Sequence, residues 1–114
     1  MHELAVTEHL LALTLKHAEA HNASRVTDLY IVVGEMASIV DDSVQFYWDF
    51  LSRGTLAEGA RLHFKRIPAR MTCQDCGHTF SPSEALPCPR CNSVRLQLTQ
   101  GNEFYLESLE ADTP

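Results

Sequence analysis

Cys73-Gln74-Asp75-Cys76 and Cys88-Pro89-Arg90-Cys91 are the two stretches whose reading decides the fold. Eleven residues separate them, giving C-x2-C-x11-C-x2-C, and all four cysteines of the chain belong to the pattern. Two residues between cysteines let both thiolates reach one ion from a tight turn. A second such turn completes a tetrahedron of sulfurs, the closed geometry that zinc favours. Turn formers accompany each knuckle: Asp75 and Gly77 in the first, Pro87, Pro89 and Asn92 in the second. A closed four-sulfur site has no open coordination position, so its expected role is structural and not catalytic. The segment 70–99 that carries the knuckles is too short to fold on apolar burial alone. Metal binding has to supply much of its folding free energy.

Working outward, residues 4–21 read as a helix, with Leu4, Leu11, Leu15 and Ala18 at helical spacing and Val6, Leu10 and Leu13 widening the stripe. Asn22, Ala23 and Ser24 break it. Val26 to Val33 is β-branched and aromatic enough for a buried strand, closed by Gly34. Asp41, Asp42 and Ser43 are N-cap candidates for a second helix whose Val44, Tyr47, Trp48 and Leu51 form one apolar face, with Gly54 as its stop. Arg61 to Ile67 alternates, Leu62 and Phe64 on one face and His63 and Lys65 on the other, and Pro68 ends it. Glu103 to Leu109 reads as a last strand. The order is helix, strand, helix, strand, knuckles, strand. The expected fold is α+β: two helices on a three-stranded sheet, with a small zinc-ribbon-like domain inserted before the last strand. The expected domains are 1–69 plus 100–114, an α/β unit, and 70–99, the metal unit.

The chain has 114 residues, with nine Lys and Arg against fifteen Asp and Glu. An acidic balance opposes non-specific nucleic-acid binding, which needs a basic face. No apolar run is long enough for a transmembrane helix, so no membrane insertion is expected. No secretory signal is visible at the N-terminus, and knuckle-spaced cysteines suit a reducing compartment, so the expected location is the cytoplasm.

Met1-His2-Glu3 carries chemistry of a different kind. A free α-amino group has a pKa near 8 and becomes a ligand close to neutral pH. The amine, the deprotonated His2 amide and the His2 imidazole close adjacent chelate rings around one ion. Such an all-nitrogen planar set suits nickel(II) or copper(II), not the tetrahedral zinc that sulfur selects. Glu3 adds an amide nitrogen, a carboxylate or an outer hydrogen bond. The plain alternative is a fraying terminus.

The ordered set of Met1-His2-Glu3-Leu4, Val33-Gly34-Glu35, Leu56-x-x-Gly59-Ala60-x-Leu62, Cys73-x-x-Cys76-Gly77-His78-x-Phe80, the second knuckle, Gln100-Gly101-Asn102-Glu103 and Leu106-x-Ser108-Leu109-Glu110 resembles the hydrogenase maturation factor HypA/HybF family of nickel metallochaperones, over essentially the whole chain. The resemblance implies that Met1, His2 and Glu3 hold nickel(II) as transient cargo and that Cys73, Cys76, Cys88 and Cys91 hold structural zinc(II). It implies a non-enzymatic protein that delivers nickel to the large subunit of nickel–iron hydrogenase, with the GTPase HypB as usual partner and urease as a further client of some relatives. The fourth nickel donor stays open between the Glu3 amide, His78 and Asp41, and the oligomeric state between monomer and weak dimer. Tyr47-Trp48-Asp49 departs from the smaller or different aromatic residues that relatives often carry there.

Other readings compete. His17 and His21, four apart, either share a metal or are solvated; His9 and His63 are expected at the surface. His78 is a ligand or packs around the zinc, and Asp41 and Asp42 are caps or ligands. Phe46, Tyr47, Trp48 and Phe50 exceed what one helix face can bury, which leaves part of the set for a partner. Two other functions fit knuckles in general. A zinc-ribbon module for protein or nucleic acid needs a basic face, and residues 70–99 hold only three arginines, no lysine and two acids. A thiol–disulfide enzyme places one C-x-x-C pair at a helix N-terminus, unlike two pairs in turns.

Overall fold

The structure is a computed structural model that describes residues 3–82 and 87–114. Its elements are α1 (Glu3–Ala20), β1 (Arg25–Gly34), α2 (Asp41–Leu51), β2 (Arg61–Ile67), β3 (Arg70–Cys73), β4 (Thr79–Phe80), β5 (Leu96–Gln100) and β6 (Phe104–Asp112). The strands form two three-stranded sheets, ordered β2-β1-β6 and β4-β3-β5. This is the α+β architecture expected, with a second sheet, unforeseen, carrying the knuckles. Two compact units result: the chain up to Val32 with Ser38–Lys65 and Tyr105–Pro114, and Val33–Ala37 with Arg66–Phe104. No helix among the described residues is long and apolar enough to cross a membrane.

In the first unit β1 is the central strand. Ser24 N–H donates to the Asp112 carbonyl at 2.8 Å and Thr27 Oγ1 to the Glu110 carbonyl at 3.3 Å, so β6 runs antiparallel to β1. Asp28 lies beside His63, and further along Glu35 N–H donates to the Ile67 carbonyl at 2.8 Å. β1 and β2 therefore run the same way, and a parallel pair needs a crossover, which α2 provides. The fully buried side chains include Leu29 and Ile31 of β1 and Val44 and Trp48 of α2. α1 packs against α2.

The buried stripe of α1 keeps Leu10 and Ala18 of the expected stripe and replaces the rest with threonines. Thr7, Leu10, Thr14 and Ala18 face the core, whereas Leu4 is exposed. Each threonine hydroxyl is satisfied four residues back: Thr7 Oγ1 donates to the Glu3 carbonyl at 2.6 Å and Thr14 Oγ1 to the Leu10 carbonyl at 2.8 Å. The cap of α2 also differs from expectation. Val40 is the N-cap, in an extended conformation with no side-chain cap. Asp41 and Asp42 sit instead in the first turn, where carboxylates favour the positive end of the helix dipole. His63, expected at the surface, is only part-exposed. Its Nε2 meets Asp28 Oδ2 at 2.7 Å and its ring stacks on Tyr30. Tyr30 in turn donates to Glu110 Oε1 at 2.9 Å, so three strands are tied on one face.

The second unit begins where three chain segments meet. A Cβ built on Gly34 would lie 2.1 Å from the Gly101 carbonyl, and one on Gly101 would lie 2.6 Å from Ala69 Cα. Gly101 also has φ +113°, outside the range that L side chains adopt readily. Around these glycines Gly34 N–H donates to the Glu103 carbonyl, and Met36 N–H to the Gly101 carbonyl, each at 2.7 Å. The Glu35 carboxylate accepts from Ala69 N–H at 2.7 Å, and that of Glu103 from Gly101 N–H at 2.9 Å. The acid that closes β1 is thus a backbone acceptor.

Beyond this junction β3 pairs antiparallel with β4, Met71 opposite Phe80, and with β5, Cys73 opposite Leu96. Met71, Cys73, Phe80 and Leu96 make one apolar cluster with Cys88. The other face is polar, with Thr72 Oγ1 sharing hydrogen bonds with Thr79 and Thr99.

Trp48→Ala is expected to cost about 3–5 kcal/mol in urea unfolding, the usual loss for truncating a buried aromatic. Ser52→Ala is expected to be neutral or slightly stabilising, because the buried Ser52 hydroxyl has no hydrogen-bond partner to lose. The His63 hydrogen bond, then that of Thr27, hold Asp28 below its ordinary pKa of 3.8. Its stabilising contribution is present above pH 3.8 and is lost as the pH falls through the depressed value. Asp28→Asn is therefore expected to flatten the acid limb of the stability profile; an unchanged limb would exclude the pair as a contributor.

Candidate metal centre

The two knuckles have the same backbone. In the first, Cys73 N–H donates to the carbonyl of His78 and Gly77 N–H returns to the carbonyl of Cys73, each at 2.9 Å. In the second, Cys88 N–H donates to Ser93 and Asn92 N–H returns to Cys88, again at 2.9 Å. The returning residue has positive φ in both, +78° at Gly77 and +66° at Asn92. Glycine reaches that region freely and asparagine does so more readily than other residues, which is why these two types follow the second cysteine of each pair.

This repeated turn brings the four sulfurs together. Cys73, Cys76, Cys88 and Cys91 place their Sγ atoms within 4.8 Å of one another. Cys73 Sγ lies 3.5 Å from Cys91 Sγ, and Cys76 Sγ lies 3.7 Å from Cys88 Sγ. A tetrahedron with metal–sulfur bonds of about 2.3 Å has edges of about 3.8 Å, so the spacing fits a zinc-sized ion. None is in a disulfide; Cys73 and Cys88 are buried, Cys76 and Cys91 exposed. Among the described residues no other group of three or more His, Cys, Asp or Glu has donors this close.

The electrostatics of the thiols call for a cation. The backbone N–H of Cys76, with that of Asp75, outweighs burial and holds the Cys73 thiol down to about 6. Burial acts against Cys88, but the amides of Cys91 and Arg90 still hold it below the ordinary thiol value. At Cys91 the Ser93 amide pulls down, yet the sulfur of Cys73, burial and the remaining thiols together push it up to about 12. Some sulfurs ionise readily and the last resists, because like charges crowd one small space. A divalent ion removes that conflict.

A brace joins the knuckles. Asp75, between the first pair of cysteines, accepts from the Ser93 hydroxyl and, at 2.8 Å, from Arg95 Nη1. Gln74 N–H donates to the Arg95 carbonyl at 2.8 Å. The sequence presents Asp75 only as a turn former; its partners lie eighteen and twenty residues away, where no local signal exists. The His78 ring stacks on Phe80, with centroids 5.8 Å apart.

At the other end of the chain, Met1 and His2 lie outside the described residues. Glu3 opens α1, and its Oε2 accepts from Val40 N–H at 3.2 Å. The carboxylate is thereby held at the backbone of the residue preceding Asp41, a juxtaposition that no sequence pattern shows. His9, His17 and His21 are exposed, as expected.

Fold and site together define a small protein with a two-helix α+β unit and a separate unit built on a tetrathiol metal centre. The family model for "Hydrogenase/urease nickel incorporation, metallochaperone, hypA" matches residues 1–111, and the chain belongs to that family. The chain is 47% identical to the hydrogenase maturation factor HypA of Dehalococcoides mccartyi strain 195, covering 98% of this chain and 95% of that protein. It is 35% identical to the hydrogenase maturation factor HybF of Klebsiella pneumoniae, covering 98% of this chain and all of that one. Among solved structures it resembles the nickel metallochaperone HypA of Helicobacter pylori, with a TM-score of 0.72 and 29% identity over the full length of both. A second HypA solution structure gives a TM-score of 0.77 at 30% identity, covering 97% of this chain and 96% of that one.

Cys88→Ser removes a buried sulfur from the tetrahedron. Amide protection in β3, β4 and β5 is expected to be lost while β1 keeps its own, read by hydrogen exchange. Uniform protection in the variant would mean that the unit does not depend on the centre. Bound metal is expected to be released as the pH falls, because protons compete for the thiolates.

Proposed function

We propose that this protein is a nickel metallochaperone that takes up nickel(II) at its N-terminus and delivers it to the large subunit of nickel–iron hydrogenase during maturation. The observation that carries the reading is the Glu3–Val40 hydrogen bond, which fixes the third residue of Met1-His2-Glu3 next to Asp41 in a chain of this family. The Met1 amine, the His2 amide and imidazole and the Glu3 backbone or carboxylate are the donors. Asp41 is favoured as the remaining donor over His78, because the Glu3 carboxylate is held at the backbone of the residue beside Asp41. A site built from consecutive residues of one terminus suits transfer: its ligands detach one at a time, so an acceptor's donors replace them without unfolding the carrier.

Zinc is the proposed occupant of Cys73, Cys76, Cys88 and Cys91, with a structural role, since four thiolates leave no position for substrate. The protein is accordingly proposed to be a carrier and not an enzyme, acting in the cytoplasm with HypB as GTPase partner, as a monomer or weak dimer. Urease is a second candidate client. The nucleic-acid reading gains no support from the second sheet, whose polar face presents Thr72, Thr79 and Thr99 in place of a basic, aromatic surface.

Nickel titration of the zinc-loaded, tag-free protein, followed by visible absorption, tests the reading. One equivalent of nickel is expected at the terminus, and this equivalent is lost in His2→Ala and when a residue is added before Met1, with zinc and fold retained. Asp41→Asn is expected to weaken binding at least about tenfold and His78→Ala to leave it unchanged. Unchanged affinity in His2→Ala would sink the site.

A further inference from the structure

Within the first unit a cavity of about 360 Å³ lies between the last turn of α1 and strand β6. His17 and His21 line it on the helix side and Glu107, with Leu106 and Leu109, on the strand side. None of these residues takes part in the sites described above.

His21 lies just past the end of α1, yet its backbone N–H still donates to the His17 carbonyl at 3.2 Å. The helical turn is therefore continued, and the two imidazoles rise from one face a single turn apart. Glu107 and Ser108 are both exposed where the in–out alternation of β6 breaks, and both line the cavity. The surroundings favour a cation. The site is at the C-terminal, negative end of α1, and β6 carries Glu107, Glu110 and Asp112. Both histidines and Glu107 are exposed, so their side chains are free to rotate and the ion has an open path.

We infer that His17, His21 and Glu107 form a second metal site, for a divalent first-row transition ion such as nickel(II). The three donors close on the ion by side-chain rotation, since only the cysteine donors already converge among the described residues. Two imidazoles and one carboxylate, all from one side, leave the remaining positions of the ion to water or to an incoming donor. An ion held this way is exchangeable, in contrast to one enclosed by four sulfurs. The inference stands apart from the N-terminal reading, because it uses none of the same residues.

The test uses the full, zinc-loaded chain carrying His2→Ala, so that the N-terminal site does not contribute. Nickel(II) is added and residue-resolved NMR signals are followed. Paramagnetic broadening is expected first at His17, His21 and residues 106–109, saturating at one ion per chain. Adding His17→Ala with His21→Ala is expected to raise the apparent Kd at least about tenfold, and Glu107→Gln to raise it by a smaller factor, while His9→Ala leaves it unchanged. Equal affinity in the double variant, or broadening centred on His9 or the cysteines, overturns the site. No effect of Glu107→Gln removes the carboxylate from it. Failure of the N-terminal reading has a separate signature: the unsubstituted protein then loses no nickel equivalent when His2 is replaced.

Discussion

Four sulfurs held within 4.8 Å of one another are the constraint on which the second unit depends. Cys73 and Cys88 belong to its apolar cluster, so the metal centre and the core are the same object. Two of the thiols ionise below the ordinary range and Cys91 is pushed to about 12, a crowding of like charges that a bound cation relieves. Three short strands have little else to hold them. The brace from Asp75 to Ser93 and Arg95 sets one knuckle against the other, but it lies at the surface, where such a pair contributes little on its own.

The first unit rests on ordinary burial. Trp48, Leu29 and Ile31 are almost fully excluded from water, and Thr7 and Thr14 are buried with their hydroxyls satisfied within the helix. Glu3 sits at the start of α1 and is tied to Val40 at the start of α2. The proposed metal-binding terminus thereby adjoins a fixed point. The cavity beside His17 and His21 lies at the opposite end of α1, so one helix carries both proposed transition-metal sites, one near each terminus.

Much of this was legible in the residues. The helices, the three strands of the first sheet and the four-cysteine cluster follow from periodicity and spacing, because each is a local pattern. Gly77 and Asn92 announced the turns, since few other residues accept positive φ. Errors fell where a long-range partner overrides the local signal. Val40 caps α2 in place of Asp41, a Glu3 carboxylate from α1 accepting its N–H. His63 is drawn out of solvent by Asp28 and Tyr30, residues of another strand. The buried stripe of α1 includes Thr7 and Thr14 beside Leu10 and Ala18, the two hydroxyls being satisfied by carbonyls of the helix itself.

The sequence by itself determined the fold class, the identity of the sulfur donors and the family, because motif spacing and hydrophobic period are properties of neighbours along the chain. Only the tertiary structure decided why Gly34 and Gly101 are glycines, through a backbone approach that admits no Cβ. It also decided that Glu35 and Glu103 serve the backbone as acceptors, that Asp75 braces the knuckles, and that Glu3 stands beside Asp41. Each of these depends on which distant segments are brought within hydrogen-bond reach, and that is set by packing, not by pattern.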